Sequence, residues 1–146
     1  AYGLAAERIG WATGAPHLID ALNRLRGAFN VSASGQRAAL AALGDEAFVA
    51  QIRDHNAAER ARFSEAMAAL GNHGIRPLPS KANFLLVLFE GRLSANTALA
   101  AVADAGYAVR HMPGQGLPHA LRITIGTTED MDAIAAAIAR AAETAQ

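Results

Sequence analysis

The feature that most constrains the fold of this chain is the segment 83–89, which is apolar without interruption from Phe84 to Phe89. A continuous apolar run of this length is typical of a strand that is buried on both faces. Such a strand needs further layers of secondary structure to cover it. The segment therefore predicts a small sheet inside a packed domain.

Helices predicted before and after this strand would supply the cover. Proline suits the first turn of a helix, serine and threonine suit its N-cap, and glycine suits its C-terminal end. Together with apolar residues at helical spacing, these signals predict helices over about 16–27, 35–43, 45–70 and 94–105, and from Thr127 or Thr128 onward. Short strands are predicted over 107–110 and 121–125, a short strand or extended segment over 8–13, and a turn over 74–79. The predicted fold class is α/β, with helices covering a small sheet.

The longest predicted helix, 45–70, combines an apolar stripe with a charged face that we expect to be solvated. The stripe consists of Phe48, Ile52, Phe63, Met67 and Leu70, and the charged face of Arg53, Asp54, Glu59, Arg60, Arg62 and Glu65. A helix of this length often joins two domains, which predicts a boundary near Asp45 between residues 1–44 and 45–146. The same pattern is also typical of a helix that simply lies on a sheet.

The composition narrows the possible classes of function. The formal net charge is zero, with 13 basic and 13 acidic residues, so neither a nucleic-acid footprint nor a polybasic membrane surface is indicated. The absence of cysteine excludes disulfides and thiolate metal sites. No apolar run reaches the roughly 18 residues of a membrane span, and the first residues do not have the pattern of a signal peptide. We expect a soluble, cytoplasmic protein with no membrane or nucleic-acid partner.

Two arginines are distinguished by their local sequence. Arg8 follows a turn that contains Gly3, and a guanidinium fixed beside such a turn can bind a phosphate or carboxylate through paired hydrogen bonds. Arg122 lies between Leu121 and Ile123 in a predicted strand, so its side chain points away from both. Because burying an unpaired charge is costly, Arg122 needs an anionic partner. A solvated surface charge at Arg8 and a structural ion pair at Arg122 are the alternatives.

Several motifs resemble, in the same order, landmarks of the histidinol-phosphate aminotransferases, which are fold-type I pyridoxal-phosphate enzymes. They are Tyr2-Gly3-Leu4-Ala5 followed by Arg8, Gly10 and Trp11, then Phe29-Asn30-Val31-Ser32 with Gln36, Pro79-Ser80-Lys81-Ala82-Asn83-Phe84, Val109-Arg110, Gly116-Leu117-Pro118 and Leu121-Arg122-Ile123-Thr124-Ile125-Gly126-Thr127. The first and last motifs are the most specific. The resemblance covers the whole chain and implies the C-terminal portion of the PLP-dependent transferase fold. In that fold, residues 1–44 would be the tail of the large cofactor domain, and 45–146 the small α/β domain.

The resemblance also implies an activity. The family moves an amino group between glutamate and imidazole-acetol phosphate in histidine biosynthesis, and histidinol phosphate is the corresponding amine. Pyridoxal 5'-phosphate is the cofactor, and the lysine that holds it would immediately precede Ala1. The chain would then contain no catalytic residue of its own and would depend on the N-terminal part of the same enzyme. The family is homodimeric, which implies a second copy as partner.

Four side chains are the predicted site residues by this resemblance. Arg8 would bind the cofactor phosphate, and Arg122 the carboxylate of glutamate or of the product 2-oxoglutarate. Arg110 would bind the phosphate of histidinol phosphate. Asn83 would either face the site or make a structural hydrogen bond. Glu7 departs from the small or apolar residue that the family usually has beside this first arginine.

Other conspicuous residues have no predicted role. Lys81, the only lysine, lies at the approach to a strand, where the family accepts many residues. Gly114 and Gly116 lack the strand–turn–helix context of a dinucleotide-binding loop. His111 and His119 show no metal-ligand spacing, so we predict no metal site.

Two alternatives to this function remain open. An aminotransferase for aromatic amino acids, or a related phosphate-ester decarboxylase, would keep Arg8 and Arg122 and depend less on Arg110. A non-catalytic α/β interaction domain would keep the fold of the small domain without the chemistry.

Overall fold

A computed structural model describes residues 2–145 of the chain. The elements in chain order are α1 (Pro16–Leu25), α2 (Ala33–Leu43), α3 (Glu46–Ala68), β1 (Ile75–Pro77), β2 (Phe84–Phe89), α4 (Ala95–Asp104), β3 (Arg110–Met112), β4 (Leu117–Thr124) and α5 (Thr128–Thr144). Three short 3-10 turns lie at Ala5–Glu7, Gly71–His73 and Pro113–Gln115. Within residues 2–145, no helix combines the length and the apolar character needed to cross a bilayer.

The chain divides into two compact units, the first ending at Arg53 and the second beginning at Asp54. The division falls within α3, so the first turns of this helix belong to one unit and the remainder to the other. The domain boundary expected near Asp45, at the start of the same helix, stays a prediction.

The first unit consists of α1, α2 and the beginning of α3. Ser32 caps α2, since its hydroxyl accepts a hydrogen bond from the Gly35 amide at 3.0 Å. Asp45 caps α3 in the same way, through the Phe48 amide at 3.0 Å. Residues 9–15 form neither helix nor strand, so the expectation of a strand over 8–13 is wrong. A strand needs a neighbour for its backbone groups, and the described residues provide none here. The other alternative, an extended segment over 8–13, stays a prediction.

The second unit is built on a four-stranded sheet in the order β1-β2-β4-β3, in which every neighbouring pair is antiparallel. Its edge strand β1 falls in the segment 74–79, which was predicted as a turn. Pro77, the last residue of β1, is tolerated because an edge strand can leave one backbone position unpaired. The third strand begins at Arg110 and not at Tyr107 as predicted.

The core lies between one face of this sheet and the second-unit part of α3, α4 and α5. Its largest members are each less than 2% exposed: Phe63, Met67, Ile75, Leu85, Val87, Leu93, Val102, Leu121, Ile123, Met131 and Ile138. Ser94 caps α4, whose predicted start was Ser94 or Asn96, and Thr127, one of the two predicted alternatives, caps α5 in a reciprocal capping box with Asp130. The predicted pattern of helices over a small sheet is therefore confirmed for this unit.

The opposite face of the sheet is only partly covered. Leu88 is buried there, whereas Phe84 and Leu86 are half-buried. The prediction that this strand is buried on both faces is right at its C-terminal end and wrong at its N-terminal end. The open end is the one beside Arg122, which is paired with Leu86 across the sheet.

Candidate functional site

Arg110 and Arg122 occupy directly opposite positions on the paired strands β3 and β4. Residues opposite each other in an antiparallel pair project from the same face of the sheet, and like charges in that position repel. Within residues 2–145, neither guanidinium makes a hydrogen bond or an ion pair. Two unneutralised cations side by side make this part of the sheet suited to an anion with more than one charged group.

Arg122 is held by an aromatic ring. Its guanidinium carbon lies 4.8 Å from the centroid of the Phe84 ring, within the range of a cation–π contact. The side chain is half-buried, and its Nε is fully buried with no hydrogen-bond partner among residues 2–145. A buried donor without a partner is costly, so a bound anion would relieve a real deficit here. The predicted position of this side chain, opposite in direction to the buried Leu121 and Ile123, is confirmed.

Asn83 directly precedes β2, at the same end of the sheet. Its backbone oxygen accepts a hydrogen bond from the Ile125 amide at 2.9 Å, which continues the β2–β4 ladder beyond Phe84 and Thr124. The residue is exposed, and its side chain has no hydrogen-bond partner within residues 2–145. The amide is therefore free to meet a ligand.

A second layer of polar side chains supports this end of the sheet from α3. The ring nitrogen Nε2 of His55 lies 2.9 Å from the oxygen of Gly126, and Nη1 of Arg60 donates to the oxygen of Ala82 at 2.9 Å. Both side chains are half-buried. The expectation that Arg60 faces solvent is therefore wrong, because the segment before β2 supplies it with a carbonyl partner.

The expectation of a solvated face is also wrong for Glu59, which is only 8% exposed. Its carboxylate accepts hydrogen bonds from Arg62, at 2.5 Å from Nη2, and from the hydroxyl of Thr128 at 3.1 Å. Arg62 also contacts Asp132 and the oxygen of Thr128. The bonds from Arg62 hold the pKa of Glu59 below its ordinary value of 4.5 against the opposing effect of burial. Hydrogen bonds to Glu59, and then to Asp132, raise the pKa of Arg62.

Arg8 lies in the first unit, in a turn of unusual conformation. Its backbone is left-handed (φ 53°, ψ 36°), which costs a residue with a long side chain some strain. Its Nη1 donates to the oxygen of Ala5 at 2.8 Å, and the exposed guanidinium has no acidic partner within residues 2–145. The remaining donors are available to an anion. Beside it, the half-buried Glu7 reaches the first turn of α2, where its carboxylate would meet a side chain added at Gly35.

The second unit thus contains three of the four predicted site residues, and it pairs two of them, Arg110 and Arg122, directly. Asn83 lies before β2 in the same unit, while Arg8 belongs to the first unit. Sequence reasoning assigned no role to Phe84, His55 and Arg60. The place of Phe84 beside Arg122 follows from the register of β2 against β4, which the sequence alone does not show. The two α3 residues carried no signal, because their carbonyl partners are remote in sequence.

The residues predicted to have no role are found at the surface or in local contacts. Lys81 and His119 are exposed, and the ring of His111 bonds to the oxygen of Pro118 at 2.7 Å. Within the described part of the chain, no three His, Cys, Asp or Glu side chains are grouped as metal ligands would be.

Known proteins resemble this chain along its whole length. The family model for aminotransferase class I and II matches residues 1–138. A histidinol-phosphate aminotransferase from Erythrobacter litoralis is 75% identical over 146 residues, which are all of this chain and 40% of that protein. The chain thus spans less than half the length of this relative.

Two solved structures show the same likeness in three dimensions. The histidinol-phosphate aminotransferase from Sinorhizobium meliloti, solved in complex with pyridoxal-5'-phosphate, matches with a TM-score of 0.81 at 31% identity over 98% of this chain and 39% of that one. A decarboxylase from Sulfurospirillum multivorans matches with a TM-score of 0.76 at 26% identity, over 99% of this chain and 41% of that one.

Proposed function

The chain belongs to the class I and II aminotransferase family, and from this premise we propose that the whole protein is a histidinol-phosphate aminotransferase. It would move an amino group between glutamate and imidazole-acetol phosphate, with pyridoxal 5'-phosphate as cofactor. The relative from Erythrobacter litoralis, 75% identical over the whole of this chain, supports the choice of substrate.

The observation that carries the proposal is the pair of unneutralised arginines, Arg110 and Arg122, side by side on one face of the sheet. The two substrates bear different anionic ends, a carboxylate on glutamate and a phosphate on histidinol phosphate. Arg122 binds the carboxylate, because its buried Nε is a hydrogen-bond donor without a partner among residues 2–145. Arg110, which is exposed, binds the phosphate. The free side-chain amide of Asn83 lies at the same end and hydrogen-bonds the substrate or cofactor.

The cofactor would be held in this chain by Arg8. The donors of its exposed guanidinium that do not bond to Ala5 fit a phosphate dianion, and the bond from Nη1 to the Ala5 oxygen holds the side chain against the turn. When bound, the cofactor would supply an electron sink for the reacting substrate carbon. A lysine supplied upstream of Ala1 would hold it covalently. Binding and orientation of the anionic groups are the contributions of the residues described here.

The exposed apolar side chains of the first unit support a further contact with the rest of the protein. Every large hydrophobic residue that is exposed among residues 2–145 lies in this unit: Tyr2, Trp11, Leu18, Leu22, Leu25, Phe29, Leu40, Leu43 and Phe48. Such a concentration is unusual for a solvated surface. We assign it to packing against the N-terminal part of the same protein, within a cytoplasmic homodimer. Mass measurement of the full-length protein in solution tests the dimer.

The test of the proposed function uses the full-length protein with bound cofactor. Amino transfer to 2-oxoglutarate is measured from histidinol phosphate, tyrosine and phenylalanine. We expect the highest kcat/KM with histidinol phosphate. A protein that ignores histidinol phosphate and accepts the aromatic amino acids would instead be an aromatic aminotransferase.

A second candidate within the family is favoured by the structural likeness to the decarboxylase from Sulfurospirillum multivorans. Measuring carbon dioxide release from a phosphorylated amino acid separates this activity from amino transfer. A protein that develops no visible absorbance band with pyridoxal 5'-phosphate, although the upstream lysine is intact, would be a non-catalytic interaction domain.

A further inference from the structure

Two side chains of α3, His55 and Arg60, each bond to a backbone carbonyl that is distant in sequence. His55 Nε2 lies 2.9 Å from the oxygen of Gly126, and Arg60 Nη1 donates to the oxygen of Ala82 at 2.9 Å. Because a carbonyl oxygen only accepts, Nε2 of His55 carries the proton in this contact. The guanidinium of Arg60 is half-buried and needs hydrogen-bond acceptors, and the Ala82 oxygen supplies one from a distant part of the chain.

The two carbonyls lie on either side of one backbone hydrogen bond. Ala82 precedes Asn83, Gly126 follows Ile125, and the Ile125 amide donates to the Asn83 oxygen at 2.9 Å. This bond lies beyond the last paired residues of β2 and β4, where a ladder ordinarily frays. The side chains from α3 therefore hold both chains at the point where their pairing ends.

The same end of the sheet presents the groups assigned to the substrate. Asn83 lies between Ala82 and Phe84, and the Phe84 ring supports the guanidinium of Arg122 at 4.8 Å. Arg122 has no hydrogen bond of its own among residues 2–145 that would fix its direction. Its placement depends on the ring and on the strands, and small displacements of such groups weaken binding strongly.

We propose that His55 and Arg60 are positioning residues of the anion site, which fix the ends of β2 and β4 so that Asn83, Phe84 and Arg122 are held ready for a substrate carboxylate. Neither touches the substrate. The inference rests on the proposed function only in its choice of anion, since the geometry it describes lies entirely within the second unit.

A merely structural role would be to attach α3 to the rest of the unit, but other contacts already do this. Arg62 joins α3 to α5 through Thr128 and Asp132, and Phe63 and Met67 are buried in the core. These contacts engage the helix without touching the ends of β2 and β4. Arg62 is therefore the control on the same helix, because its polar contacts, which include the Thr128 oxygen, are directed at α5 and not at the ends of β2 and β4.

The test measures binding of succinate, an unreactive dicarboxylate, to the full-length protein with bound cofactor. His55→Leu removes the donor, whereas His55→Gln keeps an amide N–H at similar reach. We expect His55→Leu to weaken succinate binding and to raise the KM for glutamate, each about fivefold, because one hydrogen bond is lost. The kcat and the cofactor absorbance should stay unchanged. His55→Gln should stay within about twofold of the wild type by the same reasoning. Arg60→Leu should behave as His55→Leu does, which provides a second variant if one fails to fold.

The control and the wild type decide between the interpretations. Arg62→Leu should lower Tm yet leave succinate affinity unchanged. The positioning role is overturned if His55→Leu and Arg60→Leu bind succinate normally, or if His55→Gln fails to restore binding. It is also overturned if Arg62→Leu weakens succinate binding equally, or if the wild type binds no succinate. A wild type that binds succinate but transfers no amino group from histidinol phosphate overturns the proposed function alone.

Discussion

Arg110 and Arg122 face each other across β3 and β4 with no acidic side chain of residues 2–145 to neutralise them. Like charges in directly opposite positions destabilise a sheet, by an amount on the order of 0.2–1 kcal/mol. A fold that retains such a pair, one of them with a buried unpartnered Nε, gives up stability to keep two cations available. A bound anion would recover that loss, so the affinity of the two arginines for different anions is the most direct property to test.

Arg122→Ala should weaken binding of glutamate far more than binding of the cofactor. A charge-assisted hydrogen bond contributes about 1.5–3 kcal/mol, so the KM for glutamate should rise about 10- to 150-fold. Full-length variants are compared by steady-state kinetics and by the absorbance of bound cofactor. Arg140→Ala, which removes an exposed arginine of α5, is the control and should change neither. An equal loss of glutamate and cofactor affinity for Arg122→Ala would mean that this arginine is structural.

Arg110→Gln should separate the two substrates. Loss of the cation should raise the KM for histidinol phosphate about tenfold or more and leave the KM for glutamate nearly unchanged. Because the repulsion with Arg122 disappears, the free energy of unfolding should remain equal or rise by up to about 1 kcal/mol. Kinetics with each substrate and urea denaturation check both parts. A fall in stability together with equal effects on both substrates would contradict the assignment.

The pairing of Arg110 with Arg122 shows where sequence reasoning succeeds and where it stops. The alternation of side chains along a strand was sufficient to place Arg122 on the face opposite the core. Its partner could not be predicted, because the register of β3 against β4 depends on an irregularity between His111 and Met112. Such a shift is set by the geometry of the turn and has no local sequence signal.

The long helix α3 shows the same limit. Its bounds and N-terminal cap follow from Asp45 and from the spacing of apolar residues. Glu59 and Arg60 nevertheless contradict the solvated face predicted for them, because Thr128 and the Ala82 carbonyl reach them from distant parts of the chain. A charged residue can be recognised as half-buried only when its partner is known, and that partner is known only from the tertiary structure.

Glu59 should make the stability of the protein depend on acid. Its pKa in the folded state is lowered, chiefly by Arg62, so its contribution to stability is present above the unfolded value near 4.5 and is lost as the pH falls through the lower, folded value. Glu59→Gln should reduce Tm at about pH 7, and the difference from the wild type should shrink as the pH falls below 4.5. Thermal unfolding across this range tests the sign. A difference that stays constant with pH would show that packing, and not charge, accounts for the effect.

Gly91 and Gly74 meet where the turn before β1 touches the turn after β2, and substitution there should be costly. The Glu90 amide donates to the Gly74 oxygen at 2.8 Å, which draws the two turns together. A Cβ added at Gly91 would clash with the oxygen of His73, a backbone atom that cannot rotate away. Gly91→Ala should therefore destabilise the protein by about 1–3 kcal/mol, as overpacking typically does. Gly114→Ala is the matched control, since a Cβ there meets nothing within 4 Å, and its unfolding midpoint should equal that of the wild type. Equal midpoints for Gly91→Ala and the control in urea denaturation would show that the two turns can separate without loss.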